Sequence, residues 1–372
     1  MQEQKRCIFH IPNFIDSTIV SGSSLRPRKM LEAFQKTGYH VDYVMGYGKE
    51  REIQIKQIKK NIQQGIKYEF LYSESSTMPT LLTEKNHLPI YPFLDFGFFK
   101  FCKKNGIKIG LFYRDIYWKF PVYKEEVSLG KRICSVPMYK YDLMEYQKYV
   151  DKLYLPSELM KKYVGIDVLY GELPPGCETD FGYQKKKNEI WKTREENKRL
   201  RLFYVGGIKQ LYDLTKLLKA IKALDFVELT ICCRENEWKE CYERYKPYLT
   251  ERVSVIHKSG SALNEYYMNA DICMLFFASE GYRRFAMPIK LFEYIGKLTP
   301  IIAVMGSAAG TFVDKTNSGW VIPHDEEALK ELLKSIYQEP ELLNEKQEQI
   351  FKIAADNTWE KRAKQVILDL NK

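Results

Sequence analysis

Short β-rich apolar runs alternate with helical patterns along almost all of this 372-residue chain, and that alternation permits few architectures. Strands separated by helices pair in parallel, because a helical crossover returns the chain in the same direction. In the first half, strands are expected near residues 6–11, 41–45, 69–72, 108–112, 152–155 and 167–169. Helices are expected at 25–37, 50–64 and 139–149, with a short one after Pro156-Ser157. Residues 180–201 break the pattern. They are polar, with Lys185-Lys186-Lys187 and Arg194-Glu195-Glu196-Asn197-Lys198, as an exposed boundary between domains would be. A second series follows, with strands near 202–205, 227–232, 253–256, 272–276 and 300–304 and helices at 212–223, 237–245, 263–269 and 288–296. The tail reads as helices at 326–338, 340–355 and 359–371. The expected fold is α/β, with two doubly wound Rossmann-like domains, 1–182 and 183–357, facing a central cleft where ligands meet strand carboxyl ends.

A hydrophobic share of 45% gives both domains a core and argues against general disorder. No apolar run approaches the roughly 20 residues that span a bilayer. The start, Lys5-Arg6 followed by Cys7-Ile8-Phe9-His10-Ile11, is too short in its apolar part for a signal peptide and reads as a buried strand of a cytoplasmic protein. Eight cysteines are scattered apart from Cys232-Cys233, without a C-x-x-C or zinc-like spacing, so reduced thiols and no metal site are expected. The net charge of +10 is spread along the chain. Part of it is ordinary surface charge, and part fits attraction to a diphosphate, a lipid-linked acceptor or an anionic membrane surface. Without a compact basic tract interleaved with aromatics, a nucleic-acid partner is not expected.

Three stretches place special backbone or charge at strand ends. Ser21-Gly22-Ser23-Ser24, before Leu25-Arg26-Pro27-Arg28, offers N–H groups and hydroxyls for a phosphate or sugar, or simply a serine cap on a turn. Phe203-Tyr204-Val205-Gly206-Gly207-Ile208-Lys209 runs from a strand into paired glycines, where a ligand can approach the backbone and Lys209 can meet phosphate. Met287-Pro288-Ile289-Lys290-Leu291-Phe292-Glu293-Tyr294-Ile295-Gly296 reads as a helix with Pro288 at its first position. Lys290 then lies in the positive first turn, and Glu293, three residues on, shares its face. Such an entrance holds a diphosphate while the deeper carboxylate accepts ribose hydroxyls. The alternative is a solvated salt bridge, which the apolar flanks disfavour.

The third stretch resembles the donor-binding helix of GT-B glycosyltransferases, especially bacterial family-four-like enzymes that build surface polysaccharides such as capsule or exopolysaccharide. Tyr204-Val205-Gly206-Gly207, Asn269-Ala270-Asp271, Gly319-Trp320-Val321-Ile322-Pro323 and Thr358-Trp359-Glu360-Lys361-Arg362 extend the likeness, which is firm in the second half and looser in the first. The resemblance implies a nucleotide-sugar donor held by the second domain, a glycan or lipid-linked acceptor on the first, and no cofactor beyond the donor itself. It implies a retaining, metal-independent hexosyltransferase; peripheral contact at the cytoplasmic membrane face is an expectation from the positive charge instead. Glu293 then binds ribose, Lys290 and Leu291 lie at the donor, Gly206 and Gly207 line the phosphates, and Arg234, Lys258 and Ser259 lie near base or phosphate. Gly22, Ser23 and Lys209 join the donor set, and a final helix at about 358–372 packs back on the first domain. One departure stands out: many relatives carry two glutamates with seven residues between them, the second at the Glu293 position, and at the earlier position this chain has Phe285. Glu280, Arg283 and Arg284 in that loop have no assigned role.

For catalysis, Asp115 in Tyr113-Arg114-Asp115 follows a buried strand and is the first candidate for an acceptor-side carboxylate, with a structural pair to Arg114 as the alternative. Glu74 comes after it, and His10 at the end of the first strand could face the cleft but reads more readily as a satisfied core histidine. Arg26 and Arg114 are the expected acceptor-side cations. The aromatic run 91–101 reads as a buried helix, with a lipid-facing patch as the alternative. Two other functions stay open, a non-catalytic partner of another transferase and a nucleotide-sugar 2-epimerase.

Overall fold

The computed structural model describes residues 4–15, 22–193, 199–209 and 212–371. They form two compact units, Met1–Pro175 with Trp359–Lys372, and Gly176–Thr358.

The first unit is built on strands β1 (Arg6–His10), β2 (His40–Val44), β3 (Phe70–Glu74), β4 (Lys108–Phe112), β5 (Lys152–Leu155) and β6 (Leu169–Glu172). All pair in parallel, in the order β2-β1-β3-β4-β5-β6. Runs such as Cys7-Ile8-Phe9 and Phe70-Leu71-Tyr72 are wholly buried, because helices cover both faces of a parallel sheet. The order reverses between β1 and β3, the crevice where open sheets of this kind bind ligands. β6 begins where the expected 167–169 strand ends, because this edge strand buries little and its apolar pattern is a poor guide. The helix expected at 139–149 starts at Leu129; Gly130, Pro137 and the exposed Leu129 and Ile133 blur its amphipathic pattern. The aromatic run supplies the helix Leu94–Lys104, with Phe96, Phe98 and Phe99 buried and Phe93 exposed just before it. The closing helix Trp359–Leu370 packs on Gly22–Lys36, placing Trp359, Ala363, Val366 and Leu370 in the core around Phe9, Phe34 and Phe112. Gly110 on β4 makes this possible, since a Cβ there would come within 2.9 Å of Leu370.

The second unit contains β7 (Leu200–Val205), β8 (Val227–Cys232), β9 (Val253–Ile256), β10 (Ile272–Leu275), β11 (Ile301–Val304) and β12 (Gly319–Ile322). Their order is β12-β11-β10-β7-β8-β9, again all parallel. In the unit's own chain order, the third, second and first strands are followed by the fourth, fifth and sixth, which is the order of dinucleotide-binding sheets. The reversal falls between β7 and β10. β12 and the helix Ala308–Thr316 before it were not expected from the sequence; the strand is a short edge opening on a glycine.

The polar tract 180–201 is not a free linker. Most of it is the helix Phe181–Lys192, capped by the Asp180 side chain, and Lys187 and Trp191 are buried in the second unit. Lys187 Nζ donates to the carbonyls of Tyr267 (2.7 Å), Met268 (2.9 Å) and Ala270 (2.6 Å), which satisfies the open carboxyl end of the helix Asn264–Asn269. Composition cannot show this, because a lysine stem buries as readily as an aliphatic chain once its ammonium finds acceptors. Every cysteine is a free thiol, and Cys134 is the exposed one. Among the described residues, no helix is long and apolar enough to cross a membrane, and no His, Cys, Asp and Glu side chains gather as a metal ion requires.

Candidate functional site

The carboxyl ends of β7 and β10 carry the densest concentration of expected site residues. β7 ends at Val205 and passes into Gly206, Gly207 and Ile208, a turn braced from below. Glu237, on the helix Glu235–Tyr245, accepts from the Ile208 amide (3.2 Å), and Tyr245 Oη donates to the Ile208 carbonyl (2.7 Å). Tyr204 Oη donates across the turn to the Gly207 carbonyl (2.5 Å). Gly206 has φ +147°, and a Cβ there would lie 2.9 Å from Lys290 Nζ. Glycine is therefore required twice, for its backbone conformation and to leave room for an ammonium group. A Cβ at Gly207 would meet Glu237 and Tyr212 at an ordinary 3.4 Å.

Lys290 belongs to the helix Ile289–Gly296. Pro288 is its N-cap, with φ −71° and ψ 139°, so the helix starts one residue later than expected and Lys290 is still in the first turn. Its Nζ lies 4.6 Å from the Tyr204 ring centre, 4.8 Å from Phe277 and 5.0 Å from Tyr212, and contacts Tyr204 Oη at 3.4 Å. Burial, aided by the nearby Arg283 charge, lowers its pKa to about 7, against the opposing pull of Glu293. Glu293 is half-buried one turn deeper, and burial raises its carboxyl above the ordinary value although Lys290, Tyr267 and Lys297 counter the rise. Lys290 and Glu293 make no direct ion pair, so the solvated salt bridge is not what this helix contains. Tyr267 packs edge-on against Phe203 (5.0 Å) and Tyr294 (5.9 Å), and Lys187 holds the end of its helix. At the far end of the same helix, a Cβ on Gly296 would collide with the Glu178 carbonyl and come within 2.9 Å of Cys177 Cβ. That glycine serves packing.

Several expected donor residues sit differently. Leu291 is wholly buried in the core and its amide turns back to the Pro288 carbonyl (3.1 Å), so its side chain cannot face a ligand. Lys209 pairs with Glu240 on the helix Glu235–Tyr245. Arg234 is the N-cap of that helix and bonds Glu237 (2.9 Å), which links it to the glycine turn. Lys258 and Ser259 are exposed beyond β9; the Lys258 carbonyl accepts from Cys232 Sγ (3.2 Å). Gly22 and Ser23 lie in the first turn of Gly22–Lys36 rather than in a turn before it; their side chains, and Ser21 altogether, lie outside the described residues.

In the first unit, the residues at the β1/β3 reversal are buried in networks. His10 is 1% exposed, with Nδ1 at 2.8 Å from Ser73 Oγ and Nε2 at 2.9 Å from Asp95 Oδ1. Burial lowers its pKa, so the ring is neutral, donating from Nε2 to Asp95 and accepting at Nδ1 from Ser73. Burial pushes the Asp95 carboxyl up, and the His10 hydrogen bond and the Arg51 guanidinium (Nε to Oδ1, 3.1 Å) overcome it. His10 is thus a core histidine and not an exposed base. Glu74, wholly buried, lies between Arg26 Nε (3.3 Å) and Arg114 Nη2 (3.1 Å) and accepts from Tyr72 Oη (3.0 Å). Its lone pairs are committed to these partners. Arg26, 3% exposed, lies 3.5 Å above the Phe112 ring and is a core cation rather than an acceptor-side one. Arg114 is half-buried against Glu74, and Asp115, half-buried after β4, accepts from the Tyr117 amide (2.8 Å) in a local turn. Sequence reading did not single out Glu237, Lys187, Asp95, Arg51 or the Tyr204–Tyr212–Phe277 walls; each acts on a residue distant in the chain, so local spacing carries no trace of it.

Residues 199–339 match the family model for Glycosyl transferases group 1. That stretch is a glycosyltransferase domain, and the chain that carries it is a glycosyltransferase. Among curated proteins no sequence matches. Among solved structures, the chain is similar to sucrose-phosphate synthase from Thermosynechococcus elongatus, at 15% identity over 97% of each chain with a TM-score of 0.61. It is similar to a glycosyltransferase from Rickettsia africae, at 13% identity over 100% of both chains with a TM-score of 0.62. HepE of Anabaena, solved with UDP and glucose, is 8% identical over 98% of this chain and 99% of that one, with a TM-score of 0.62. At these identities the likeness establishes the fold, which is GT-B.

Proposed function

We propose that this glycosyltransferase moves a hexose from a nucleotide-diphosphate sugar to a glycan or lipid-linked acceptor, as in the building of a surface polysaccharide. The observation that carries the reading is Lys290, lodged over Gly206 where β7 and β10 part, with Glu293 one turn deeper on the same helix face. In this reading the Lys290 ammonium and the first turn of Ile289–Gly296 meet the diphosphate, and Glu293 accepts the ribose hydroxyls. Charge that develops on the departing diphosphate is compensated by these fixed cationic and N–H groups, which need no reorganisation during transfer. No metal ion and no cofactor beyond the donor enter the reading, and retention of anomeric configuration rests on the family resemblance. Asp115 remains the acceptor-side carboxylate, while Glu74 and His10 serve the core. Work at the cytoplasmic membrane face would suit a lipid-linked acceptor and the net charge of +10.

Calorimetric titration with UDP, GDP and ADP tests the donor half. Glu293→Ala is expected to weaken the preferred nucleotide about 10- to 100-fold, the value of hydrogen bonds to a charged acceptor. If wild type binds none of them at millimolar concentration, or if the variant matches wild type, the assignment fails.

A further inference from the structure

We infer that Arg283 is a second diphosphate-binding cation, and that with Lys290 it makes the site selective for nucleoside diphosphates over monophosphates. The inference rests on the donor reading above and deepens it. Arg283 lies in the one-and-a-half-turn segment Gly281–Phe285, which follows β10, the strand at the order reversal. Its Cζ is 4.1 Å from the Tyr212 ring centre and 5.5 Å from that of Phe277. Lys290 Nζ, arriving from the opposite side of the sequence motif, lies 5.0 Å and 4.8 Å from those same two rings. Tyr212 and Phe277 themselves meet edge to face at 5.2 Å, so two walls hold two positive charges together.

Among the described residues neither cation makes a salt bridge to a carboxylate, and Glu293, one turn deeper, pulls on Lys290 without pairing with it. Arg283 Nη1 donates to the Ala278 carbonyl (3.3 Å), and its buried Nη2 has no hydrogen-bond partner. The Arg283 charge also presses on Lys290 and makes its proton easier to lose. Aromatic faces ease the burial of each cation but do not cancel their mutual repulsion. An anion with charge on two adjacent phosphoryl groups relieves it, one group to each cation, whereas a single phosphoryl group satisfies one. Tyr212 is 37% exposed, so the walls open toward solvent. The neighbouring Arg284 is set apart by its exposure and its bond to the Gly306 carbonyl (3.5 Å), which fastens the loop.

The test compares wild type, Arg283→Gln, Arg283→Lys and Glu293→Ala in titrations with UDP, UMP and inorganic pyrophosphate, with the GDP/GMP and ADP/AMP pairs as alternative bases. Arg283→Gln is expected to lose tenfold or more in affinity for the diphosphate and for pyrophosphate while changing monophosphate affinity less than threefold. Arg283→Lys should recover part of the loss, and Glu293→Ala should weaken mono- and diphosphate alike. Circular dichroism and thermal unfolding establish that the variants are folded, and Arg283→Lys keeps the test decisive if Arg283→Gln is not. Diphosphate affinity unchanged in Arg283→Gln, or equal losses for mono- and diphosphate, would overturn the role of Arg283 and leave the donor site standing. Absence of any nucleotide binding by wild type would instead remove the donor reading itself.

Discussion

Replacing Gly206 by alanine should damage both the fold and the donor site, by separable amounts. The residue holds φ +147°, which costs a residue with a side chain about 1–3 kcal/mol. For a unit of this size that is a fall of roughly 2–12 °C in the thermal midpoint. The new Cβ would also stand 2.9 Å from Lys290 Nζ and 3.3 Å from Tyr204 Oη, so the ammonium must retreat from its seat. A charge-assisted bond to a phosphate oxygen, held at about 2.7–2.9 Å, does not survive such a retreat. Its loss is worth about 1.5–3 kcal/mol, or roughly 10- to 150-fold in nucleotide affinity. Calorimetry with the preferred nucleoside diphosphate, beside differential scanning calorimetry, reads the two effects. Gly207→Ala is the control: its Cβ meets only ordinary contacts at 3.4 Å, and affinity should change less than threefold. The reasoning is refuted if Gly206→Ala binds nucleotide within twofold of wild type, whatever happens to its midpoint.

Asp95→Ala removes the acceptor shared by His10 and Arg51 in the first unit. Breaking a buried pair on one side costs about 3–5 kcal/mol, so the thermal midpoint should drop by roughly 6–20 °C while nucleotide affinity stays at wild-type level; an unchanged midpoint contradicts the network. Lys187 and Lys290 both have pKa values lowered to about 7 by burial. Their unfolded values lie near 10.4, so between pH 7 and 9 the unfolded chain holds protons that the folded chain has released, and stability rises with pH. Midpoints measured across that window should climb, and Lys187→Met should flatten the climb; an identical slope in the variant would show that Lys187 does not titrate there.

How far each feature was legible depended on the range of the contacts that make it. The parallel sheets follow from runs such as Phe70-Leu71-Tyr72 and Leu202-Phe203-Tyr204, whose burial on both faces leaves an uninterrupted apolar signature. β12 escaped because a short edge strand opening on Gly319 has little such signature. The helix Phe181–Lys192 passed for a linker because Lys187 is indistinguishable in composition from a surface lysine. Glu74 and Arg26 looked accessible because one follows a strand and the other stands at the start of a helix, and the strand end at His10 suits either a cleft group or a core histidine; Asp95, Arg51, Arg114 and Phe112 enclose all three from other elements.

The segment from Met287 to Gly296 marks the division. By itself it determined that a lysine in a helix's first turn and a glutamate one turn on share a face, because helical geometry fixes neighbours three residues apart. Only the tertiary structure decided what that lysine meets. Gly206 makes its seat, rings from Tyr204, Tyr212 and Phe277 wall it, and Arg283 lowers its hold on a proton. Those groups come from the ends of two strands brought side by side at the reversal of the sheet. Burial and charge act through space, and their strength is set by distances that the order of residues does not contain.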